Sequence, residues 1–155
     1  MENIYTAKKH AIYYDKEDDF GLKVKGLSFI ENIYKWAMMV RHIESDNNPK
    51  ASAGTTSAKG VYQFTDASVH TAKQRMWNMG FEAEYIREID NNPHEWTDEH
   101  ADSMFLANMF AQKGSDALLK EIGKNNMDAM KTAYYKFHHT NPDEATKKRV
   151  DNIII

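Results

Sequence analysis

From Leu27 onward the chain is written in a helical period, and that period most limits what it can fold into. Ile33, Ala37, Val40 and Glu44 recur at spacings of four, three and four, which puts them on one face of one helix. Ser28 with Glu31 three residues later is the pattern of a reciprocal cap at its start. Further helices are expected over residues 66–80, 82–89, 115–123 and 127–137. Another should run from an N-cap at Thr97 to a stop at Gly114. Asn141 and Pro142 read as N-cap and first position of a closing helix. No internal repeat or low-complexity linker interrupts this series. The expectation is a mainly α chain with one domain over residues 27–155. Residues 1–26 form an N-terminal segment of ambiguous pattern, helical at "YTAKKHAIYY" and then acidic and Gly-broken.

A chain of 155 residues buries roughly 68–70% of its unfolded surface, enough for a core without covalent staples. With no cysteine, it has neither a disulfide framework nor thiolate chemistry. Twenty Lys and Arg against 23 Asp and Glu leave a net charge of −3 with the signs interspersed. That balance argues against a nucleic-acid partner, which calls for a basic face. The first residues contain no apolar run of signal-peptide length, and no 18-residue apolar stretch occurs anywhere. Stable membrane insertion is therefore not expected.

The chemistry is expected where the first helix ends, in "HIESDNNPKASAGTTSAKGVYQF", residues 42–64. A carboxyl on the stripe of Ile33, Ala37 and Val40 faces the core side of its helix, and the helix dipole disfavours negative charge at a C-terminus. Both effects should raise the pKa of Glu44. A protonated carboxylic acid near neutral pH suits the leaving oxygen of a glycosidic bond. The plain alternative is a terminal helix residue in a surface salt bridge with Arg41 or Lys50.

Glu44-Ser45, Asn48-Pro49, a loop of small residues, then Gly60, Gln63 and Phe64 follow one another in order. This arrangement resembles the goose-type lysozyme and lytic transglycosylase superfamily, above all its phage members. Downstream, "TAYYKFHH" (residues 132–139) resembles the family segment that lines the cleft, with Tyr134 on the matching tyrosine and His138 as a counterpart of a phage-type histidine. The Asn-Ala-Gly that usually follows that tyrosine is absent. The resemblance implies a lysozyme-like domain with an irregular loop or small hairpin beside the catalytic helix. It implies cleavage of the β-1,4 bond between N-acetylmuramic acid and N-acetylglucosamine, with bacterial peptidoglycan as partner, no cofactor and a monomeric chain. Synthesis in a host cytoplasm without a signal peptide would be followed by action on the wall, after release as an endolysin or by delivery with a virion.

Within that resemblance Glu44 is the catalytic acid, and Ser45, Tyr62, Gln63 and Tyr134 bind substrate. The residues themselves leave alternatives. Gly60 permits positive φ or close backbone approach, and Gln63 donates and accepts toward an N-acetyl sugar. Tyr62 floors the groove or packs in the core, and Phe64 packs inward. Tyr134 bonds Glu44 or the sugar, or is a core tyrosine with a satisfied hydroxyl. A hydrolase needs a second carboxylate, for which Asp46 and Asp66 are the candidates, although Asp66 or Thr65 also reads as a helix N-cap. Lytic transglycosylases work with one Glu and leave a 1,6-anhydromuramic end, the outcome this sequence favours. A glycan-holding or structural virion protein with the acid quenched is the competing class.

Other motifs carry less. "GTTSAKG" has the wrong order for a phosphate loop, and no strand precedes it. His94 and His100 stand six apart where a helical zinc site wants four. His138 and His139, being adjacent, are expected on different sides of a helix and at the surface. "DKEDDFGL" lacks the glycine and glutamate of a calcium loop, and the nine methionines read as core filler.

Overall fold

The structure, a computed structural model, describes residues 27–78, 80–110 and 115–153. The segment 1–26 and the expected stop at Gly114 lie outside the described residues. The described chain is mainly helical: α1 (Leu27–Ser45), α2 (Asp66–Asn78), α3 (Ala83–Glu88), a 3₁₀ turn (Pro93–Glu95), α4 (Asp98–Phe110), α5 (Ser115–Ile122), α6 (Met127–Ala133), a π-helical segment (Tyr134–His138) and α7 (Glu144–Asn152). No strand forms among the described residues, where only isolated bridges occur at Ser52–Lys59 and Lys59–Phe64. No helix there is long and apolar enough to cross a membrane.

The stripe on α1 explains its central place. Ile33, Trp36, Ala37, Val40 and Ile43 are all buried, and they join one core with Phe105 of α4, Leu118 of α5 and Tyr134. The Trp36 indole donates to the Met130 carbonyl at 3.1 Å, tying α1 to α6. α1 packs against α5 and α7, while α2 lies along α4.

Several ends differ from expectation. Ser28 lies inside α1, so it is not the N-cap. At α2 the cap is Thr65: its hydroxyl accepts from the Ser68 N–H at 3.1 Å, and the Ser68 hydroxyl accepts from the Thr65 N–H at 2.8 Å. Thr97 caps α4 as expected, accepting from the His100 N–H at 3.1 Å. The closing helix starts two residues late, because Asp143 accepts from the Thr146 N–H at 2.8 Å and takes the cap from Asn141.

The expected helix over 127–137 changes character halfway. After Ala133 the bonding closes over five residues, with the His139 N–H donating to the Tyr134 carbonyl at 2.9 Å. A wider turn of this kind is rare and appears mostly at functional sites. Here it changes where the two histidines point.

Candidate active site

Glu44 is the penultimate residue of α1 and lines a cleft of about 1130 Å³. Residues of the loop between Ala51 and Ala58 line it together with Phe137, His138 and His139 and with Arg75 and Asn108. The side chain of Glu44 is 16% exposed. Its partners come from the π segment, not from Arg41 or Lys50. The Tyr134 hydroxyl donates to Oε1 at 2.5 Å, and His138 Nε2 approaches the same oxygen at 3.4 Å. Oε2 has no hydrogen-bond partner among the described residues.

The wide turn makes this convergence possible. In an α-helix, residues four and five after Tyr134 would diverge, one nearly above it and one well round the side. Closing the ring over five residues lets His138 and His139 straddle Tyr134, with ring centroids 5.5 and 6.1 Å from its ring. His139 Nδ1 lies 3.3 Å from the Tyr134 hydroxyl. With that hydroxyl proton committed to Glu44, the imidazole is the donor. The expectation that the adjacent histidines sit on different sides at the surface is thus overturned.

The expected rise in the Glu44 pKa is overturned as well. Burial does push the carboxyl toward neutrality. Hydrogen bonds from His138 and Tyr134 and the positive charge of the imidazoles outweigh it, and the group sits below its ordinary 4.5. The same contact, with burial as the larger cause, drives the Tyr134 phenol far above its ordinary value of 10.

The other candidates sort by what they touch. Ser45 lines the cleft and ties its backbone: its hydroxyl lies 2.7 Å from the Val61 carbonyl and accepts from the Asn48 N–H at 3.2 Å. It thereby fixes the end of α1 to the turn at residues 60–64. Gln63 holds a left-handed φ of 52° and lines the cleft. Its amide nitrogen donates to the carbonyls of Gly60 at 2.9 Å and Ala51 at 3.3 Å. The side-chain nitrogen is occupied by backbone, so the carbonyl oxygen is what Gln63 offers a ligand. Gly60 meets both of its expectations. Its φ is +82°, and an added Cβ would come within 3.0 Å of Pro93.

Tyr62 takes the core reading of its two: it is 2% exposed, stacks on Phe105 with centroids 4.1 Å apart, and donates to Asp102 at 2.6 Å. The residue also borders the cleft, so its ring packs in the core directly behind the lining. Phe64 is buried as expected, edge-on to Trp96 at 5.0 Å. Of the two candidates for a second carboxylate, Asp46 lines the cleft and Asp66 does not. Asp66 is exposed at the start of α2 and its N–H donates to Ser57 at 3.0 Å, whereas the Asp46 side chain is 98% exposed at the rim. Sequence reasoning missed Arg149, whose guanidinium donates to the carbonyls of Ile43 at 2.9 Å and Glu44 at 3.5 Å. It closes the last turn of α1 as a C-terminal cap, and an arginine on a distant helix gave no signal of that. Among the described residues no group of three His, Asp or Glu is placed to hold a metal.

Chemically, the cleft presents the Glu44 carboxyl, held by a tyrosine and flanked by imidazoles, with the exposed carboxyls of Asp46 and Asp143 on the same lining. A group so held accepts or delivers a proton. Compared with known proteins, the chain matches no family model, no curated protein and no solved structure.

Proposed function

We propose that the protein is a peptidoglycan-cleaving enzyme of lysozyme-like fold, with Glu44 as its general acid and base. The observation that carries this reading is the setting of Glu44. It is a carboxyl at the end of a buried helix, fixed through one oxygen by Tyr134 and His138 and open through the other to a cleft of about 1130 Å³. Glu44 gives a proton to the bridging oxygen between N-acetylmuramic acid and N-acetylglucosamine. The carboxylate left behind then takes a proton from the group that attacks C1. Gln63 contributes a carbonyl oxygen to the acetamido N–H of a sugar.

The identity of the attacking group follows from which carboxylates are near. Asp66 lies outside the cleft, and of the other carboxylates that line it the Asp46 side chain is 98% exposed and Asp143 is engaged in capping the closing helix, which favours an attack that needs no second carboxylate. The C6 hydroxyl of the muramic sugar is tethered, and tethering raises its effective concentration strongly. The proposed product is therefore a 1,6-anhydromuramic end, and the proposed setting is a phage endolysin or a virion-borne wall-opening enzyme. Digestion of purified peptidoglycan in ¹⁸O water, read by mass spectrometry, tests this. Unlabelled anhydro ends are expected. Labelled reducing ends would move the reaction to hydrolysis, and no release of fragments would leave a glycan-binding role.

A further inference from the structure

The geometry points to His138 as a positioning residue that stores a proton for Glu44, passing it from Nε2 to the carboxyl when substrate covers the pair. This rests on the glycosidase reading above and deepens it. His138 Nε2 lies 3.4 Å from Glu44 Oε1, and each side chain is only 16% exposed. The edge contact with Phe105, ring centroids 5.7 Å apart, keeps the imidazole against the core. The charged and titratable groups that line the cleft with His138 are Glu44 and Asp46 at the end of α1, Tyr62, Arg75 of α2, the adjacent His139, and Asp143 and Arg149 from the closing helix and its cap, with Tyr134 against the ring itself. Of these, Glu44 is the one its ring nitrogen reaches.

An imidazolium beside a carboxylate is supported by the water of an open cleft. A bound glycan removes that water, and two separated charges lose more solvation than a neutral acid and a neutral imidazole do. Proton transfer then breaks the N–H bond at Nε2 and forms an O–H bond on Glu44, with the total charge unchanged. Rotation about the soft two-fold terminal torsion of the carboxyl group exchanges its oxygens, turning the O–H from Nε2 to the cleft while Oε2 takes over the bond from Tyr134. Glu44 delivers this proton to the bridging oxygen as the C1–O bond breaks, and the electron pair leaves with that oxygen. The carboxylate next takes the proton of the attacking hydroxyl as its oxygen bonds to C1. When product departs, the proton returns to Nε2. One proton is spent on the leaving oxygen, and one is recovered from the attacking group.

Two groups that share a proton titrate as a pair, so the alkaline limit of activity belongs to the pair and not to Glu44 alone. His138→Gln keeps a donor toward Oε1 but cannot store a proton, and Glu44 must then take its proton from solvent in the carboxylic range. The test is the pH–rate profile of peptidoglycan solubilisation for the wild type, Glu44→Gln, His138→Gln and His138→Ala. In His138→Gln the alkaline limb should move toward acid by about one pH unit or more, with activity near neutrality falling about tenfold. Added imidazole should restore part of the loss in His138→Ala. If the wild type works, Glu44→Gln is silent and His138→Gln keeps the wild-type profile, this inference fails alone. If the wild type releases nothing at any pH, the glycosidase reading fails and takes this with it. Nuclear magnetic resonance of the His138 ring gives an answer free of catalysis. The ring signals should follow the titration of Glu44 in the wild type and lose that step in Glu44→Gln, whereas identical curves would overturn the coupling.

Discussion

Two clusters on α1, one turn apart, are built from the same chemical parts. At Arg41 a cation, a carboxylate and a tyrosine meet: the guanidinium donates to Asp102 at 3.1 Å, Asp98 at 2.6 Å and Asn47 at 2.8 Å, and Tyr62 donates to Asp102 at 2.6 Å. At Glu44 a carboxylate, a tyrosine and an imidazole meet in the same way. The first cluster is closed, with Arg41 4% and Asp102 3% exposed. The second opens on the cleft and keeps one carboxyl oxygen free of protein partners among the described residues. Burial of both charged partners makes a brace, and partial exposure beside a cleft makes a place for chemistry. The brace also serves the site, since Asn47 and Tyr62 flank the loop that starts beside Glu44.

The largest effect that would sharpen this contrast is on stability. Arg41→Ala strands a buried Asp102 and should cost about 3–5 kcal/mol, read from urea unfolding. A loss below about 1 kcal/mol would mean the brace is not one.

A pair of tyrosine variants separates the clusters next. Tyr62→Phe removes a buried donor from Asp102 and should cost about 1–3 kcal/mol of stability, with little change in activity per folded molecule. Tyr134→Phe should instead lower activity about tenfold, because the carboxyl loses the bond that holds Oε1. Equal activity losses in both would erase the distinction between brace and reactive site.

Smaller still is the contrast at the start of α2. Thr65→Ala should cost about 0.5–2 kcal/mol because it removes the cap. Asp66→Asn should leave activity close to wild type. An inactive but normally melting Asp66→Asn would restore that residue as a second carboxylate.

The smallest expected effect is acid sensitivity. Glu44 is held below its ordinary 4.5 in the folded state. Its ionisation therefore adds stability above that value, and the contribution is lost as pH falls through the lower folded value. Melting curves of wild type and Glu44→Gln should therefore converge below about pH 4.5. A gap that widens toward acid would mean that the folded protein raises the pKa of Glu44.

How much of this was readable beforehand depends on sequence distance. The face of α1, the cap at Thr97 and the backbone demand at Gly60 are local, and periodicity or residue type revealed them. The partners of Glu44 are 90 residues away or more, so helix position alone weighed burial and the dipole while missing the donors that reverse the shift. Two neighbouring histidines on one side require a five-residue turn, which no propensity in "AYYKFHH" announces. Tyr62 was left between core and groove for a related reason: its partner Asp102 lies in "TDEHADSMF", where an acid among polar residues reads as solvent-facing.

The central claim is that Glu44 is the proton-transferring group of a glycan-cleaving site. Its most direct test compares wild type with Glu44→Gln on purified peptidoglycan, measuring soluble muropeptide release and, in parallel, binding to the insoluble wall. The expected result is fragment release by the wild type and a loss of roughly 10²–10⁴-fold or more in the variant, with wall binding retained and the fold intact apart from the small stability contribution of the Glu44 ionisation. A variant that keeps more than about a tenth of the wild-type rate, against that expected loss, would contradict the account and place the chemistry elsewhere.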